Sequence, residues 1–375
     1  KQHKIIQRPM KILLLICFLV TAALLYMMVA IELSGFDILL IILLIIILSE
    51  LASWKLIKKT FLYKKRFFKP HIFLNFISND KYNDQQVQIS SDGFRQINFD
   101  LEIEKENFYN LYLMGDCVFF EGHLPNKETF AYKLKQNFSN ITILNPSMVH
   151  YTHYHMLNRL IYDIKNSKKI DFVLSSATVN DALVYIHHKN GEIKNDYSHF
   201  YKTFSDFKEY SYIRKIPSRL LQIILLFLST RSYKKLVDYE AHFYNINKNF
   251  TSPSNYKTAK KLFNTSNLHN YLNLLLCLCK HFNIKLALTT FAYNINDFKS
   301  EPRITYLDLI KKINELYRNF AKTNNLLLID FEKEINFEKN DIHNKWQFCN
   351  TGNDKRAELT SKTLVNAYKE LIKIN

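Results

Sequence analysis

Two long apolar runs open the chain. Residues 12–31 carry no charge, and residues 36–49 are almost entirely Ile and Leu. A helix rises about 1.5 Å per residue and about 20 apolar residues cross the hydrocarbon core. The pattern therefore predicts a transmembrane hairpin over residues 1–69, with spans at about 12–31 and 36–54. A cleaved signal peptide is the alternative for the first run, but that run is longer than the usual apolar core of roughly 7–15 residues.

Basic residues flank this hairpin, whereas the short turn between the two runs is acidic. Residues 1–70 contain eleven Lys and Arg against three acids, and two of those acids, Glu32 and Asp37, lie in the turn. The positive-inside rule places the flanks and everything downstream in the cytoplasm. We therefore expect a two-span protein of the cytoplasmic (inner) membrane, with its soluble domain on the cytoplasmic side.

Beyond a polar connector at 70–105, short apolar runs alternate with segments of helical spacing. The runs read as strands at 108–114, 141–144, 170–174, 284–290 and 326–329. The helical segments are 126–137, 155–164, 182–186, 307–320 and 354–372. Strands that alternate with helices of this length indicate right-handed βαβ units and a mostly parallel sheet. We expect one α/β domain at 106–375, with an insertion at about 188–270.

The insertion contains a second strongly apolar segment, Leu220–Leu228, with Arg and Lys on both sides. It is too short to cross a bilayer. Two interpretations stay open: a helix buried in the soluble domain, or a helix lying on the membrane surface with its basic flanks at the headgroups.

The distribution of charge along the chain indicates which kind of partner the protein binds. Of the net charge of +17, residues 1–70 supply +8, and the chain has no RNA-binding or helix-turn-helix signature. The charge therefore favours a lipid bilayer with anionic headgroups as partner, and no nucleic acid.

The five cysteines are odd in number and irregularly spaced, so they suggest no disulfide framework.

Residues that could bind a ligand or take part in catalysis follow the predicted strands, at the end where ligands bind in open parallel sheets. The segments are Met114–Cys117, Asn145–His150, Ser175–Asp181 and, before the last helix, Asn344–Asn353.

In order and placement these four segments resemble the four blocks of the SGNH/GDSL hydrolase superfamily. The resemblance covers about residues 88–373 and includes the Asp-Gly-Phe-Arg of Asp92–Arg95. It implies a three-layer α/β sandwich with a flavodoxin-like sheet. It also implies ester hydrolysis or acyl transfer on lipids or glycans, by a Ser nucleophile, an Asp-x-x-His pair and an Asn that helps to bind the oxyanion.

The family's functional positions carry different residues in this chain. Cys117 stands at the nucleophile position, Gln347 at the His position and Asn344 at the Asp position, while Asn180 keeps the oxyanion position. His150 and Thr178 replace the glycines of the second and third blocks. The expected pocket comprises Gly115, Asp116, His150, Thr178, Asp181 and His343.

These replacements weaken the expected catalysis, because a thiol attacks an ester well only when a base removes its proton, and Gln347 has no basic nitrogen. We expect a divergent protein with weak or lost catalysis that binds an acylated glycan or lipid, or a partner among envelope-polysaccharide enzymes of the membrane. One alternative is an active esterase or acyltransferase that uses Cys117, with His343 or His150 as base. Another is a structural subunit of a membrane complex.

No cofactor or metal is expected. His150, His153 and His155 have no carboxylate or cysteine at ligand spacing beside them, and Cys277 and Cys279 lie in an apolar helix without a second pair.

Overall fold

The computed structural model describes residues 26, 34–58, 60, 68–71, 74–80, 82, 87–97, 108–186, 194, 197, 211–230, 253–294, 303–342 and 347–375. The chain divides into two compact units. The smaller unit combines Lys1–Lys64 with Tyr212–Val237, and the larger combines Lys65–Ser211 with Asp238–Asn375. The first predicted span, at about 12–31, lies outside the described residues apart from Tyr26.

The elements are, in chain order, α1 (Gly35–Ile57), β1 (Phe68–His71), β2 (Asn75–Ser78), β3 (Tyr109–Met114), α2 (Cys117–Phe120), α3 (Phe130–Gln136), β4 (Ile141–Leu144), α4 (His153–Lys165), β5 (Phe172–Ser176), α5 (Val179–Ile186), α6 (Ser211–Lys215), α7 (Arg219–Thr230), α8 (Pro253–Leu262), α9 (Ser266–His281), β6 (Lys285–Thr289), α10 (Arg303–Thr323), β7 (Leu327–Ile329), α11 (Phe331–Glu334) and α12 (Asn350–Ala367). Short 3-10 turns lie at Asn126–Glu128 and Lys339–Asp341.

The second predicted apolar span forms the single helix α1. Its start is set by a capping box, in which the Ser34 hydroxyl oxygen accepts from the Asp37 N–H at 3.3 Å and the Ser34 N–H donates to the Asp37 carboxylate at 3.2 Å. With 23 residues and a mean hydropathy of 2.6, α1 is the one helix among the described residues that is long and apolar enough to cross a bilayer. The structure does not test the two-helix hairpin, because only one of its helices is described.

A five-stranded sheet forms the centre of the larger unit. The strand order is β4-β3-β5-β6-β7 and every neighbouring pair is parallel, which confirms the predicted parallel sheet. In order of appearance this is 2-1-3-4-5, the order of flavodoxin-like folds. Strand β5 is buried along its whole length, as expected for a central parallel strand, and its first three residues, Phe172–Leu174, are apolar.

Helices cover the sheet. Helix α3 packs against β4 and α12, and α12 reaches β7; α4 packs on α9, while α9 and α10 pack on each other and on β6. The apolar faces of these helices and the strands enclose one continuous hydrophobic core.

The segment predicted as a polar connector contributes to this core. Strands β1 and β2 pair antiparallel, and Leu74, Phe76, Val87 and Ile89 are buried. These apolar residues therefore anchor the segment to the larger unit. The prediction of a polar connector overlooked the apolar stretch Ile72–Ile77, which only Asn75 interrupts.

A buried ion pair connects α12 to the end of α2. Arg356 and Glu121 are at most 1% exposed, and the guanidinium donates to Glu121 at 3.2 Å and to the Asn353 side chain at 2.9 Å. The second oxygen of Glu121 accepts the N–H of Phe130 at 2.7 Å. The Arg356 guanidinium also lies over the Phe130 and Phe348 rings, with 4.5 and 4.4 Å to the two centroids. Loss of one partner would leave the other charge buried without compensation.

We expect Glu121→Ala to lower the free energy of unfolding by about 3–5 kcal/mol, because it leaves the Arg356 charge buried and unpaired. Urea unfolding of the full chain in detergent micelles measures this change. The matched control is Asp354→Asn, which removes a surface pair with Lys133 at 2.9 Å and should cost under about 1 kcal/mol. Equal losses in the two variants would contradict the role assigned to the buried pair.

Candidate active site

The order of the sheet reverses at β3, which has β4 on one side and β5 on the other. Ligands of open α/β sheets bind in the crevice beyond the carboxyl ends of the strands at this reversal. Gly115–Cys117 directly follows β3, and Thr178 and Asn180 follow β5. The topology therefore brings two of the four sequence blocks to the same end of the sheet.

The carboxylate of Asp116 joins these two blocks. It is fully buried, and one of its oxygens accepts hydrogen bonds from the Thr178 hydroxyl and, at 3.1 Å, from the Asn180 amide. The other oxygen accepts the N–H of Val118 at 2.9 Å and so caps the short helix α2. Burial raises the pKa of Asp116 to about 6, although the bonds from Thr178 and Val118 favour the ionised form.

Asn180 is held entirely by protein groups. Its amide nitrogen donates to Asp116 and, at 3.0 Å, to the backbone carbonyl of Tyr151. An amide NH₂ has two hydrogens to donate, so both are used inside the protein. Thr178 supports the arrangement, since its hydroxyl oxygen accepts the Asn180 N–H at 3.1 Å.

Cys117 is the first residue of α2 and is half-buried. Burial, together with the neighbouring carboxylate of Asp116, raises the pKa of the Cys117 thiol well above its ordinary value. The thiol is therefore protonated near neutral pH, and the thiolate is the form that attacks. Gly115 allows the tight strand-to-helix turn, because a Cβ there would lie 2.6 Å from the Phe119 ring.

The second block is bonded to β3 and α2. Ser147 donates its hydroxyl to the Leu113 carbonyl at 2.8 Å, and the Asn145 amide donates to the Phe119 carbonyl at 2.9 Å. His150, at the family's glycine position, has φ 68°, a left-handed conformation that glycine adopts most easily. Burial lowers the pKa of His150 to about 4, so its imidazole is neutral near pH 7.

Asp181 belongs to a different buried network. One oxygen accepts from His153 Nδ1 at 2.7 Å and the other from the Tyr197 hydroxyl at 2.9 Å. His153 Nε2 bonds to the Tyr317 hydroxyl, which also donates to the Ser176 carbonyl at 3.1 Å. All four side chains are at most 1% exposed, so the network fastens α4, α5 and α10 to the sheet and offers no surface to a substrate.

Sequence reasoning missed Tyr317 and the pairing of His153 with Asp181. In the sequence, His153 stands out only as a possible metal ligand, and Tyr317 is one residue of the predicted helix at 307–320. The available signal was a phenol on a buried stripe, since a buried tyrosine hydroxyl usually has a partner.

The buried Arg356 connects the last of the four sequence blocks to α2. Gln347 is half-buried and directly precedes Phe348, whose ring packs on the Arg356 guanidinium. That guanidinium in turn lies 3.5 Å from the Val118 carbonyl. Close packing also explains Gly352, because a Cβ there would lie 2.3 Å from the Asp341 carbonyl oxygen. His343 and Asn344 lie outside the described residues, so the structure does not place the family's Asp position or the candidate base.

The described histidine His155 and the four described cysteines do not form a metal site. His155 bonds through Nδ1 to the Thr152 hydroxyl at 2.8 Å and stacks on the Tyr151 ring. Cys117, Cys277, Cys279 and Cys349 are free thiols. Over the described part of the chain, no group of three or more His, Cys, Asp or Glu could hold a metal ion.

No family model and no curated protein matches the sequence. Solved structures do match. A lipolytic protein of the G-D-S-L family from Desulfitobacterium hafniense is 12% identical over 68% of this chain and 98% of its own length, with a TM-score of 0.38. A GDSL-like lipase from Bacteroides thetaiotaomicron is 14% identical over 72% and 93%, with a TM-score of 0.38. An acetyl xylan esterase is 13% identical over 68% and 99%, with a TM-score of 0.37.

The parallel sheet of the larger unit has the strand order that the resemblance of the four sequence blocks implies.

Proposed function

We propose that this protein is a membrane-anchored, SGNH-hydrolase-like binding protein whose ester hydrolysis is weak or lost. Its ligand is an acylated glycan or lipid, presented to or received from envelope-polysaccharide enzymes of the same membrane. The ligand class comes from the family resemblance, whereas the reduced catalysis is argued from the site itself.

The amide of Asn180 is the observation that carries the proposal. An oxyanion donor must point an N–H at the position where negative charge develops on the substrate. In Asn180 both amide hydrogens go to Asp116 and to the Tyr151 carbonyl instead. A substrate would have to break one of these buried hydrogen bonds before the side chain could assist the reaction.

The nucleophile position supports the same proposal. The raised pKa keeps the Cys117 thiol protonated near neutral pH. Gln347, at the family's His position, cannot accept the thiol proton as a base would. At the three family positions that the structure describes, Cys117 is not ionised near neutral pH, Gln347 is not a base and the Asn180 amide hydrogens are already engaged.

The partly exposed side chains of the blocks suggest an uncharged ligand. Cys117, His150 and Gln347 are half-buried, and the raised thiol pKa and the lowered imidazole pKa leave Cys117 and His150 uncharged near neutral pH. Such groups suit the hydroxyls and acyl esters of a neutral sugar better than a phosphate, which usually requires Arg, Lys or a helix N-terminus.

Membrane attachment is part of the proposal and is supported by α1. Its 23 residues reach about 34 Å, enough for the hydrocarbon core of about 30 Å. The basic residues that flank it favour the cytoplasmic side for the larger unit.

Wild-type protein and the Cys117→Ala variant should hydrolyse p-nitrophenyl acetate at the same rate near neutral pH, because little thiolate is present. Any Cys117-dependent rate should emerge only at alkaline pH, as the thiol titrates. Colourimetric rates of both proteins over a pH series measure this.

The active-esterase alternative makes the opposite prediction for the same assay. Substantial neutral-pH turnover by the wild type that disappears in Cys117→Ala would establish Cys117 as a nucleophile and overturn the proposed loss of catalysis. Cys277→Ala, which alters an exposed thiol on α9, serves as control for a general effect of cysteine removal.

The binding role predicts that the full chain in detergent micelles binds an acetylated xylo-oligosaccharide more tightly than the same oligosaccharide after alkaline deacetylation. Cys117→Leu should weaken binding by about tenfold or more, or 1.4 kcal/mol, because it enlarges a half-buried side chain at the carboxyl end of β3. Titration calorimetry gives both affinities. Cys277→Leu should leave them unchanged, and equal binding of the two oligosaccharides would rule out recognition of the acyl group.

The predicted orientation has its own test. A pair of reporters fused after Asn375, one active only in the cytoplasm and one only outside it, should show activity for the cytoplasmic reporter alone. The opposite pattern would place the larger unit outside and would reverse the orientation while leaving the anchor in place.

A further inference from the structure

We infer that α7, the apolar helix of the insertion, is a second membrane element that lies in the bilayer leaflet beside the Trp54 end of α1. This inference rests on the proposed membrane anchoring of α1. It decides between the two interpretations that the sequence left open for Leu220–Leu228, a buried helix and a helix at the membrane.

The first observation is that α7 is fastened to α1 by Glu50. The Glu50 carboxylate accepts hydrogen bonds from the Ser218 hydroxyl at 2.9 Å, the Leu220 N–H at 3.1 Å and the Arg219 N–H. A side chain of the predicted span thus caps the first turn of α7. The two helices also pack against each other within the smaller unit.

The second observation is the depth of this junction along α1. Trp54 lies one turn after Glu50, is 50% exposed, and has the Lys58 ammonium 3.4 Å from its ring centroid. A tryptophan with a basic neighbour is typical of the membrane–water boundary. Glu50, and with it the start of α7, therefore lies about one helical turn inside that boundary.

The third observation is that α7 exposes large apolar side chains on the face away from its covered residues. Leu221 and Ile224 are 44% exposed and Leu228 is 64% exposed, whereas Gln222 and Leu226 are buried. Exposed to water, such a contiguous face would be unfavourable, and hydrocarbon is a suitable surrounding for it.

Polar side chains of α7 form hydrogen bonds within the protein, as the hydrocarbon of a bilayer requires. The Gln222 amide donates to the Ile216 carbonyl at 2.5 Å, and the Ser229 hydroxyl donates to the Leu226 carbonyl at 3.0 Å. Groups without partners would be costly in lipid. The covered residues of α1 near Glu50 include the small Ser49, Ala52 and Ser53, which permit close helix contact in membranes.

The basic residues before α7 complete the match to a lipid surface. Arg214 and Lys215 are exposed and precede the junction with Glu50, where they can reach anionic headgroups. The helix itself is about 18 Å long for its 12 residues, too short to cross the membrane. The arrangement thus points to a helix inserted in one leaflet, with lipid covering its outer face.

Photo-crosslinking of the full chain in vesicles of neutral and anionic phospholipid tests this inference. p-Benzoylphenylalanine replaces one residue at a time: Ile224 on α7, Leu43 on α1 and Ile161 on α4. Ile161 is the matched control, because it is the same residue type with the same 44% exposure but lies in the larger unit. We expect lipid adducts at Ile224 at a yield near that of Leu43 and about tenfold above that of Ile161, as burial in hydrocarbon predicts.

Each other outcome has a distinct meaning. Lipid adducts at Leu43 but not at Ile224 would overturn the inference and leave the proposed anchoring intact. No adducts at either position would overturn both. An adduct of doubled chain mass at Ile224 would show that a second copy covers α7, and a crosslink to residues 65–211 or 238–375 of the same chain would show that the larger unit does; either result overturns the inference.

The part played by Glu50 is tested in the same system. Glu50→Ala should lower the lipid-adduct yield at Ile224 several-fold, because α7 loses its cap, and should leave the yield at Leu43 unchanged. Glu358→Ala, which alters an exposed carboxylate of α12, is the matched control. An unchanged yield at Ile224 in Glu50→Ala would overturn the claim that this carboxylate holds α7 against α1.

Discussion

The buried carboxylate of Asp116 is the group on which the arrangement of the site depends. It receives donors from both sides of the point where the sheet reverses, Val118 on the β3 side and Thr178 and Asn180 on the β5 side. Burial raises the pKa of Asp116 to about 6, so this carboxyl favours folding most when protonated, and its contribution falls as the pH rises through 6. Above that pH the three donors offset the cost of a buried charge. The hydrogen bonds of Asp116 thus connect the β3 side and the β5 side of the region in which folds of this kind usually bind a ligand.

Two further buried networks hold the helices and strands around Asp116 together. On one side, Arg356 and Glu121 hold α12 against the end of α2. On the other, Asp181, His153 and Tyr317 fasten three helices to the carboxyl end of β5. Buried polar groups of this kind favour one particular packing, since any other packing would leave them without partners. The turn that carries Cys117 lies between two such regions.

The sheet could be predicted from the sequence because central parallel strands are rich in apolar residues, and β3, β5 and β6 contain the apolar runs Leu111–Met114, Phe172–Leu174 and Leu286–Leu288. The hairpin of β1 and β2 could not, since the short apolar stretch Ile72–Ile77, interrupted only by Asn75, does not show the alternation of a strand. The convergence of Gly115–Cys117 with Asn180 followed from the topology rule alone. The partners of Asp116 and His153 did not, because a hydrogen bond between residues distant in the chain leaves no trace in local spacing. The hydroxyl of Thr178 could be read as a replaced glycine, but not as a donor to Asp116.

Thr178, at the position where the resemblance implies a glycine, does more than fill space. A hydroxyl buried at this position requires a partner, and Asp116 is the acceptor that it finds. The same carboxylate oxygen holds one hydrogen of the Asn180 amide, while the Tyr151 carbonyl holds the other. A donor that serves catalysis must keep a hydrogen for the transition state, since only bonds that strengthen there accelerate the reaction. The loss of catalysis proposed for this site therefore does not reside in Cys117 and Gln347 alone. Restoring a serine and a histidine would rebuild the nucleophile and its base, yet it would leave the oxyanion donor bonded to the protein.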